Sequence, residues 1–378
     1  MKPIRAAVIG AGHLGRIHAR LLRSIEGVEL VGIVDPLSAA RDEVASELGI
    51  EPLAHHGQLI GRIDAAIVVT PSVYHHAVAM ELMDAGVHLL VEKPLAASVA
   101  DAADMVRAAQ GKGLVLQAGH VERFHPALSA AWPHIQRPRY IEATRTSGYS
   151  FRSTDIGVVL DLMIHDIDIA LAIAGSRPVA VQASGLKVVG PHEDVAHARI
   201  EFAGGCVANL SASRVSFEAV RRMCVHTSSG YAAIDFAART ARVARPTDRE
   251  QIGASELGRL SPEEKGALRD RFFTDVMRLE ELPVHDNNAL LDEQHDFVSA
   301  IRTGRAPRVP GSQALEAMQL AGQVLEAIAE HDRRTTERTS AMPPRAFDAA
   351  LPVAGSVPAA PHWLPAASIP AEPRRRAG

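Results

Sequence analysis

Over roughly the first 120 positions, short apolar runs alternate with amphipathic stretches. Ile4–Ile9, Val28–Val34, Ala65–Val69, Val87–Val91 and Leu114–Ala118 read as strands. His13–Ile25, Ser38–Leu48, Tyr74–Ala85 and Val99–Gln110 read as helices, with one more short element near Pro52–Ala54. Gly86 supplies a helix stop, and Pro71 ends the run that begins at Ala65. Strands this short and apolar, separated by helices, predict a parallel sheet covered on both faces.

The pattern then changes. Val179–Ala183, Val195–Phe202, Cys206–Ser213, Met223–His226 and Tyr231–Val243 read as strands in succession. Ala196, Ala198, Ile200 and Phe202 alternate with His197, Arg199 and Glu201. A period of two marks an antiparallel sheet with one buried and one polar face. A helix at Asp161–Ala174 precedes this sheet, and helices at Ala289–Arg302 and Ser312–Glu330 follow it. The expected organisation is an α/β domain with a parallel sheet over 1–122 and an α+β domain with a mostly antiparallel sheet over 123–332. A Pro- and Ala-rich tail over 333–378 reads as disordered, and the charged stretch 245–285 reads as an insertion between strands.

Composition narrows the class. The 378 residues are 47% apolar and 22% charged, which suits a globular chain rather than a disordered or collagen-like one. No run of about 18 apolar residues is present, so a membrane span is not expected. Forty basic residues against 44 acidic give a net charge of -4, which lacks the field that nucleic acid would reward. Two cysteines, Cys206 and Cys224, cannot build a disulfide framework. The first strand begins at Ile4 and leaves no room for a signal-peptide core. A reduced, cytoplasmic protein is the expectation.

The first strand runs into Gly10-Ala11-Gly12-His13-Leu14-Gly15, a G-x-G-x-x-G between strand and helix. Gly10 permits the tight turn, a bare Gly12 lets backbone approach a pyrophosphate, and Gly15 lets helix and strand pack closely. Amides at the helix start would hold the diphosphate. Asp35 closes the second strand, where a carboxylate accepts from a ribose 2'-hydroxyl and repels a 2'-phosphate. The expected cofactor is therefore NAD rather than NADP, on a Rossmann domain.

Further motifs lie at the carboxyl ends of the parallel strands, where open α/β sheets bind ligands. They are Thr70-Pro71 with His75, Glu92-Lys93-Pro94, and Gly119-His120-Val121-Glu122-Arg123-Phe124-His125-Pro126. Asp161-Leu162-Met163-Ile164-His165-Asp166-Ile167-Asp168 opens the first helix of the second domain. Oxidising an alcohol needs a base for the hydroxyl proton; a histidine suits that task and a lysine can polarise the oxygen. Asp161 and His165 stand four apart, so on a helix the carboxylate can support the imidazole. Which of Lys93 and His165 takes the proton stays open at this level.

In this order the motifs resemble the glucose-fructose oxidoreductase / inositol dehydrogenase (Gfo/Idh/MocA) family over about residues 4–330. The resemblance implies an NAD(P)-dependent oxidoreductase acting on sugars, sugar nucleotides or inositols. It also implies a large open second sheet that makes homodimer or homotetramer contacts. It makes Lys93 the lysine of the family's E-K-P motif, and Asp161 and His165 its D-x-x-x-H pair. The cofactor set is Gly10, Gly12, His13, Leu14, Gly15, Asp35, Thr70, Pro71, His75, Glu92 and Lys93. His120, Arg123 and Arg152 are candidates for the substrate, and Arg145, Arg152 and Arg214 for a diphosphate, with ordinary sheet-face and loop roles as the alternative for these three arginines. The G-H-V-E-R-F stretch and the Ala208–Val215 strand resemble members that oxidise the 3-hydroxyl of UDP-N-acetylglucosamine, with His125 where those usually carry Asn.

Alternatives are another polyol or inositol dehydrogenase, an NAD-dependent glycosidase, or a non-catalytic dinucleotide-binding regulator. No metal is expected: His192, His197 and His226 lack ligand spacing, and His55-His56 and His75-His76 are adjacent pairs that should not converge.

Overall fold

The computed structural model describes residues 2–151, 156–247 and 258–341, and Met1–Arg333 forms one compact unit. Six strands build the first sheet: β1 (Ile4–Ile9), β2 (Val28–Val34), β3 (Glu51–Leu53), β4 (Ala65–Val68), β5 (His88–Glu92) and β6 (Leu116–Gly119). Their order is β3-β2-β1-β4-β5-β6, and every neighbouring pair is parallel. Helices α1 (His13–Arg23), α2 (Ser38–Leu48), α3 (His75–Asp84) and α4 (Val99–Lys112) connect them. Ala7, Ile9, Ala66 and Val68 enter one buried cluster, and Ala6, Val8, Ala65 and Ile67 enter another. Both faces are therefore covered, which is why these strands read as unbroken apolar runs. The strand order reverses between β1 and β4, and a crevice opens beyond the carboxyl ends at such a point.

The second sheet has eight strands in the order β14-β13-β12-β11-β7-β10-β9-β8. They are β7 (Pro138–Thr146), β8 (Pro178–Leu186), β9 (Val195–Phe202), β10 (Val207–Ser213), β11 (Val220–Thr227), β12 (Gly230–Asp235), β13 (Thr240–Pro246) and β14 (Met277–Glu281). All neighbours are antiparallel except β7 and β10. The short helix α5 (Pro126–Ala131) and α6 (Ile164–Ala174) cover one face. Residues 258–281 add α7 (Pro262–Asp270) and the edge strand β14 to this domain; part of the stretch expected to be an insertion is thus an extension of the sheet.

Two differences from the sequence expectation have clear causes. Central strand β7 was not expected, because its buried face carries Ile141, Ala143 and the charged Arg145. The run Tyr231–Val243 is two strands, not one. They are joined by a turn over Phe236–Arg239 that has none of the usual turn residues, and Arg239 takes a positive φ of 55°.

The chain then returns to the first domain. Helix α8 (Ala289–Thr303) packs Phe297 and Val298 into the cluster on the α1 side of the parallel sheet. Helix α9 (Gly311–Ala341) places Ala314 and Met318 in one domain's core and Leu320, Val324 and Ile328 in the other's. It thereby ties the two together. The helix runs through residue 333, so the expected tail boundary falls inside it. The remainder of the expected disordered tail, 342–378, lies outside the described residues. No described helix is long and apolar enough to cross a membrane.

Candidate active site

The turn after β1 is built as its glycines require. Gly10 has a φ of +109°, and a Cβ there would lie 2.7 Å from the Val69 carbonyl oxygen. A Cβ on Gly15 would lie 1.9 Å from the Gly10 carbonyl oxygen, so helix and turn are in backbone contact. Gly12 differs: a Cβ there would meet nothing within 4 Å. Its bareness keeps space open rather than relieving a clash. Gly12 caps α1 without any side-chain hydrogen bond, and the first turn holds no acid. The α1 amides and helix dipole are therefore available to an anion. His13 and Leu14 are exposed beside them.

Asp35 is locked against this turn. Its Oδ2 accepts the Ala11 amide at 2.8 Å and its Oδ1 accepts the Leu37 amide at 2.9 Å. Each carboxylate oxygen keeps a further lone pair for a ribose hydroxyl. On the opposite side of the strand-order reversal, Thr70 Oγ1 is a buried hydroxyl with no hydrogen-bond partner, and Pro71 is exposed. An open backbone cradle, an oriented carboxylate and an orphaned hydroxyl fit a dinucleotide.

Lys93 follows β5. Its Nζ donates to the Asp161 carbonyl oxygen at 3.0 Å and lies 3.7 Å from Asp161 Oδ1. About a fifth of the Lys93 side chain is exposed. Burial lowers its pKa from the ordinary lysine value, while Asp161 and Glu92 act to raise it. His165, one turn further along, is pushed well below the ordinary histidine value, first by burial and then by the charges of Lys93 and Arg145. It is therefore a neutral imidazole near pH 7, and its Nδ1 is buried without a partner.

One expected pairing is corrected. Asp161 bonds Lys93, and no described hydrogen bond joins it to His165. Asp161 sits in a π-helical turn, Val159–Met163, ahead of α6. That wider turn breaks the stacking of residues four apart on which the expectation rested.

Several other sequence candidates turn out to be internal supports. His75 lies between two carbonyl oxygens, Nδ1 at 3.0 Å from Pro94 and Nε2 at 2.8 Å from Thr70; burial lowers its pKa, and the neutral ring donates to one of them at a time. It holds two crevice loops together. Glu92 Oε1 faces His18 Nε2 at 3.0 Å and its Oε2 accepts the Lys93 amide at 3.1 Å. His120 is buried behind His165, with ring centroids 6.5 Å apart and neither nitrogen partnered. Arg123 pairs with Asp168 at 3.3 Å and lines a cavity between α6 and α9, not the Lys93 crevice. Arg145 is buried and bidentate to Asp166, at 3.0 and 2.9 Å, and reaches Glu122 at 2.8 Å. Arg214 is likewise buried on Asp194 at 2.7 Å. Neither arginine is placed to take a diphosphate. Arg152 lies outside the described residues.

His55 and His56 do come together with Glu81, against the expectation for adjacent histidines. The reason is that His55 precedes the turn in extended backbone rather than lying on a helix. Both histidines already have partners: His55 Nδ1 accepts the Gly57 amide and His56 Nε2 pairs with Glu81 at 2.7 Å.

Comparison with known proteins agrees with this geometry. Residues 4–120 match the oxidoreductase family with an NAD-binding Rossmann fold, and residues 118–233 match the GFO/IDH/MocA C-terminal domain. The chain is 42% identical over 234 residues to UDP-N-acetylglucosamine 3-dehydrogenase of Acidithiobacillus ferrooxidans, covering 62% of this chain and 74% of that protein. It is 33% identical over 232 residues to scyllo-inositol 2-dehydrogenase (NAD(+)) of Bacillus subtilis, covering 56% and 68%. A solved structure of the Acidithiobacillus enzyme superposes with a TM-score of 0.76 at 35% identity, over 87% of this chain and 98% of that one. The chain belongs to the Gfo/Idh/MocA oxidoreductase family. It is an NAD-binding oxidoreductase with a Rossmann domain and a mostly antiparallel eight-stranded second sheet.

The glycine geometry makes a paired prediction. Gly12→Ala should leave the melting temperature within about 2 °C, because the added carbon meets no protein atom. It should weaken NAD binding at least roughly tenfold by filling the cradle. Gly15→Ala should lower the melting temperature by about 4 °C or more, through contact with the Gly10 carbonyl. Thermal melts and NAD titrations on both variants check this; unchanged NAD affinity for Gly12→Ala contradicts it.

Proposed function

We propose that the protein oxidises a secondary hydroxyl of a sugar nucleotide with NAD as acceptor, and that the substrate is UDP-N-acetylglucosamine, oxidised at its 3-hydroxyl. The observation that carries the chemistry is Lys93 held on Asp161 beside a neutral His165 at the crevice of the dinucleotide turn. The choice of substrate rests on the 42% identity to a dehydrogenase of that name.

In this reading Gly10, Gly12, His13, Leu14 and Gly15 hold the diphosphate, and Asp35 takes the ribose hydroxyls and disfavours a 2'-phosphate. Thr70, Pro71 and Lys93 border the nicotinamide side, with His75 and Glu92 behind them. NAD, when bound, supplies the hydride acceptor. Lys93 directs its ammonium at the reacting oxygen and lowers that hydroxyl's pKa. His165, held neutral by burial and by the Lys93 charge, accepts the proton. Asp161 keeps the ammonium aimed. The protein is proposed to work in the cytoplasm as a homodimer or homotetramer through the uncovered face of its second sheet. That face presents Glu142, Thr144, His197 and Arg199.

Two predictions follow from these roles. Incubation with NAD and UDP-N-acetylglucosamine should give a sugar nucleotide lighter by two hydrogens, with NADH formed in equal amount; mass spectrometry and absorbance read both. Turnover of an inositol with none of this sugar nucleotide contradicts the substrate. The pH profile should have two limbs. Activity requires neutral His165, so it falls as pH drops through a pKa below the ordinary 6.5. It also requires charged Lys93, so it falls as pH rises through a pKa below the ordinary 10.5. An acid limb centred above 6.5 contradicts the role of His165.

A further inference from the structure

We infer that Gln294 on α8, acting through His18 on α1, is a positioning residue that fixes which hydrogen His18 presents to Glu92, and so orients that carboxylate beside Lys93 and tunes the proton affinity of Lys93. This inference rests on the role given to Lys93 above. The link is a continuous buried chain. Gln294 Nε2 lies 3.3 Å from the His18 carbonyl oxygen and 2.9 Å from His18 Nδ1. A carbonyl only accepts, so the amide must present its NH2 to this side, and the same nitrogen donates its second hydrogen to Nδ1. That makes Nδ1 an acceptor and puts the ring hydrogen on Nε2. His18 Nε2 then donates to Glu92 Oε1 at 3.0 Å. Glu92 Oε2 accepts the Lys93 amide at 3.1 Å.

The surroundings sharpen the consequence. His18, Gln294 and Glu293 are fully buried, and Glu92 nearly so. Both Glu293 oxygens lack a partner, and burial together with the nearby Glu92 pushes its pKa well above the ordinary value. Burial therefore favours the neutral acid form of Glu293. Lys93 faces Asp161 and Glu92 as acids and Arg145 as a competing cation, with His165 and His120 also within reach of its charge. The placement of the Glu92 carboxylate beside Lys93 depends on the hydrogen it receives from His18 Nε2. A His18 in the other tautomer would aim a lone pair at Oε1 and repel it, so the carboxylate would turn out of this contact. Lys93 would then have one of its two nearby acids displaced and hold its own proton less tightly.

The experiment replaces the donor by an apolar side chain of similar length, Gln294→Met, in the intact enzyme. Nitrogen NMR on histidine-labelled protein, with His18 assigned by difference against His18→Gln, should show His18 protonated at Nε2 in the wild type. A wild-type His18 protonated at Nδ1 overturns the inference before any variant is made. In Gln294→Met the share of His18 protonated at Nδ1 should rise, because Nδ1 loses its donor, and the alkaline limb of the kcat/KM profile should move down by up to about 1 unit; an unchanged His18 signal overturns the role of Gln294. NAD affinity should stay within about threefold. A changed tautomer with an unmoved alkaline limb overturns the link to Lys93. A wild-type profile with no alkaline limb instead removes Lys93 from the chemistry, a separate failure that the NMR result does not share. Equal loss at every pH would show a merely structural effect and would also overturn it.

Discussion

The site depends on keeping one ammonium ion charged where water is scarce. Burial lowers the proton affinity of Lys93. Asp161 from the second domain and Glu92 from its own strand end oppose that. His165 is held below the ordinary histidine value first by burial, and the Lys93 charge adds to that. In the proposed mechanism, acid and base roles are separated by environment rather than by residue type. The two lobes are coupled at this point, because the lysine comes from the parallel sheet and its carboxylate partner from the π turn of the second domain.

A second layer of charge holds that geometry. Arg145 lies under α6 with Asp166 and Glu122, and Arg123 holds Asp168 on the same helix. Removing one member of a buried, hydrogen-bonded set leaves an unpaired charge, which costs about 3–5 kcal/mol. These arginines thus fix where α6, and so His165, stands. On the other lobe, His75 ties the Thr70 and Pro94 loops, while His18 and Gln294 reach Lys93 through Glu92.

Much of this was legible in the sequence, and the exceptions are instructive. The parallel sheet could be read because strands buried on both faces have no polar alternation to confuse them. The glycine turn, Asp35 and Lys93 could be read because each sits at a strand end in a fixed spacing. Strand β7 could not, since its inner face spends a position on Arg145. The partner of Asp161 could not, since residue spacing assumes an α-helix and the chain makes a π turn there. Arg145 and Arg214 looked like ligand groups because an arginine's partner is invisible until the chain is folded. Gln294 lies 276 residues from His18, and nothing local marks it.

The measurement that bears most directly on the central claim is kinetic and binding analysis of Lys93→Ala, made alongside the wild type. The account predicts NAD affinity within about threefold of wild type and a kcat lowered roughly 10²–10³-fold. A kcat within about tenfold of wild type, at unchanged NAD affinity, would contradict it.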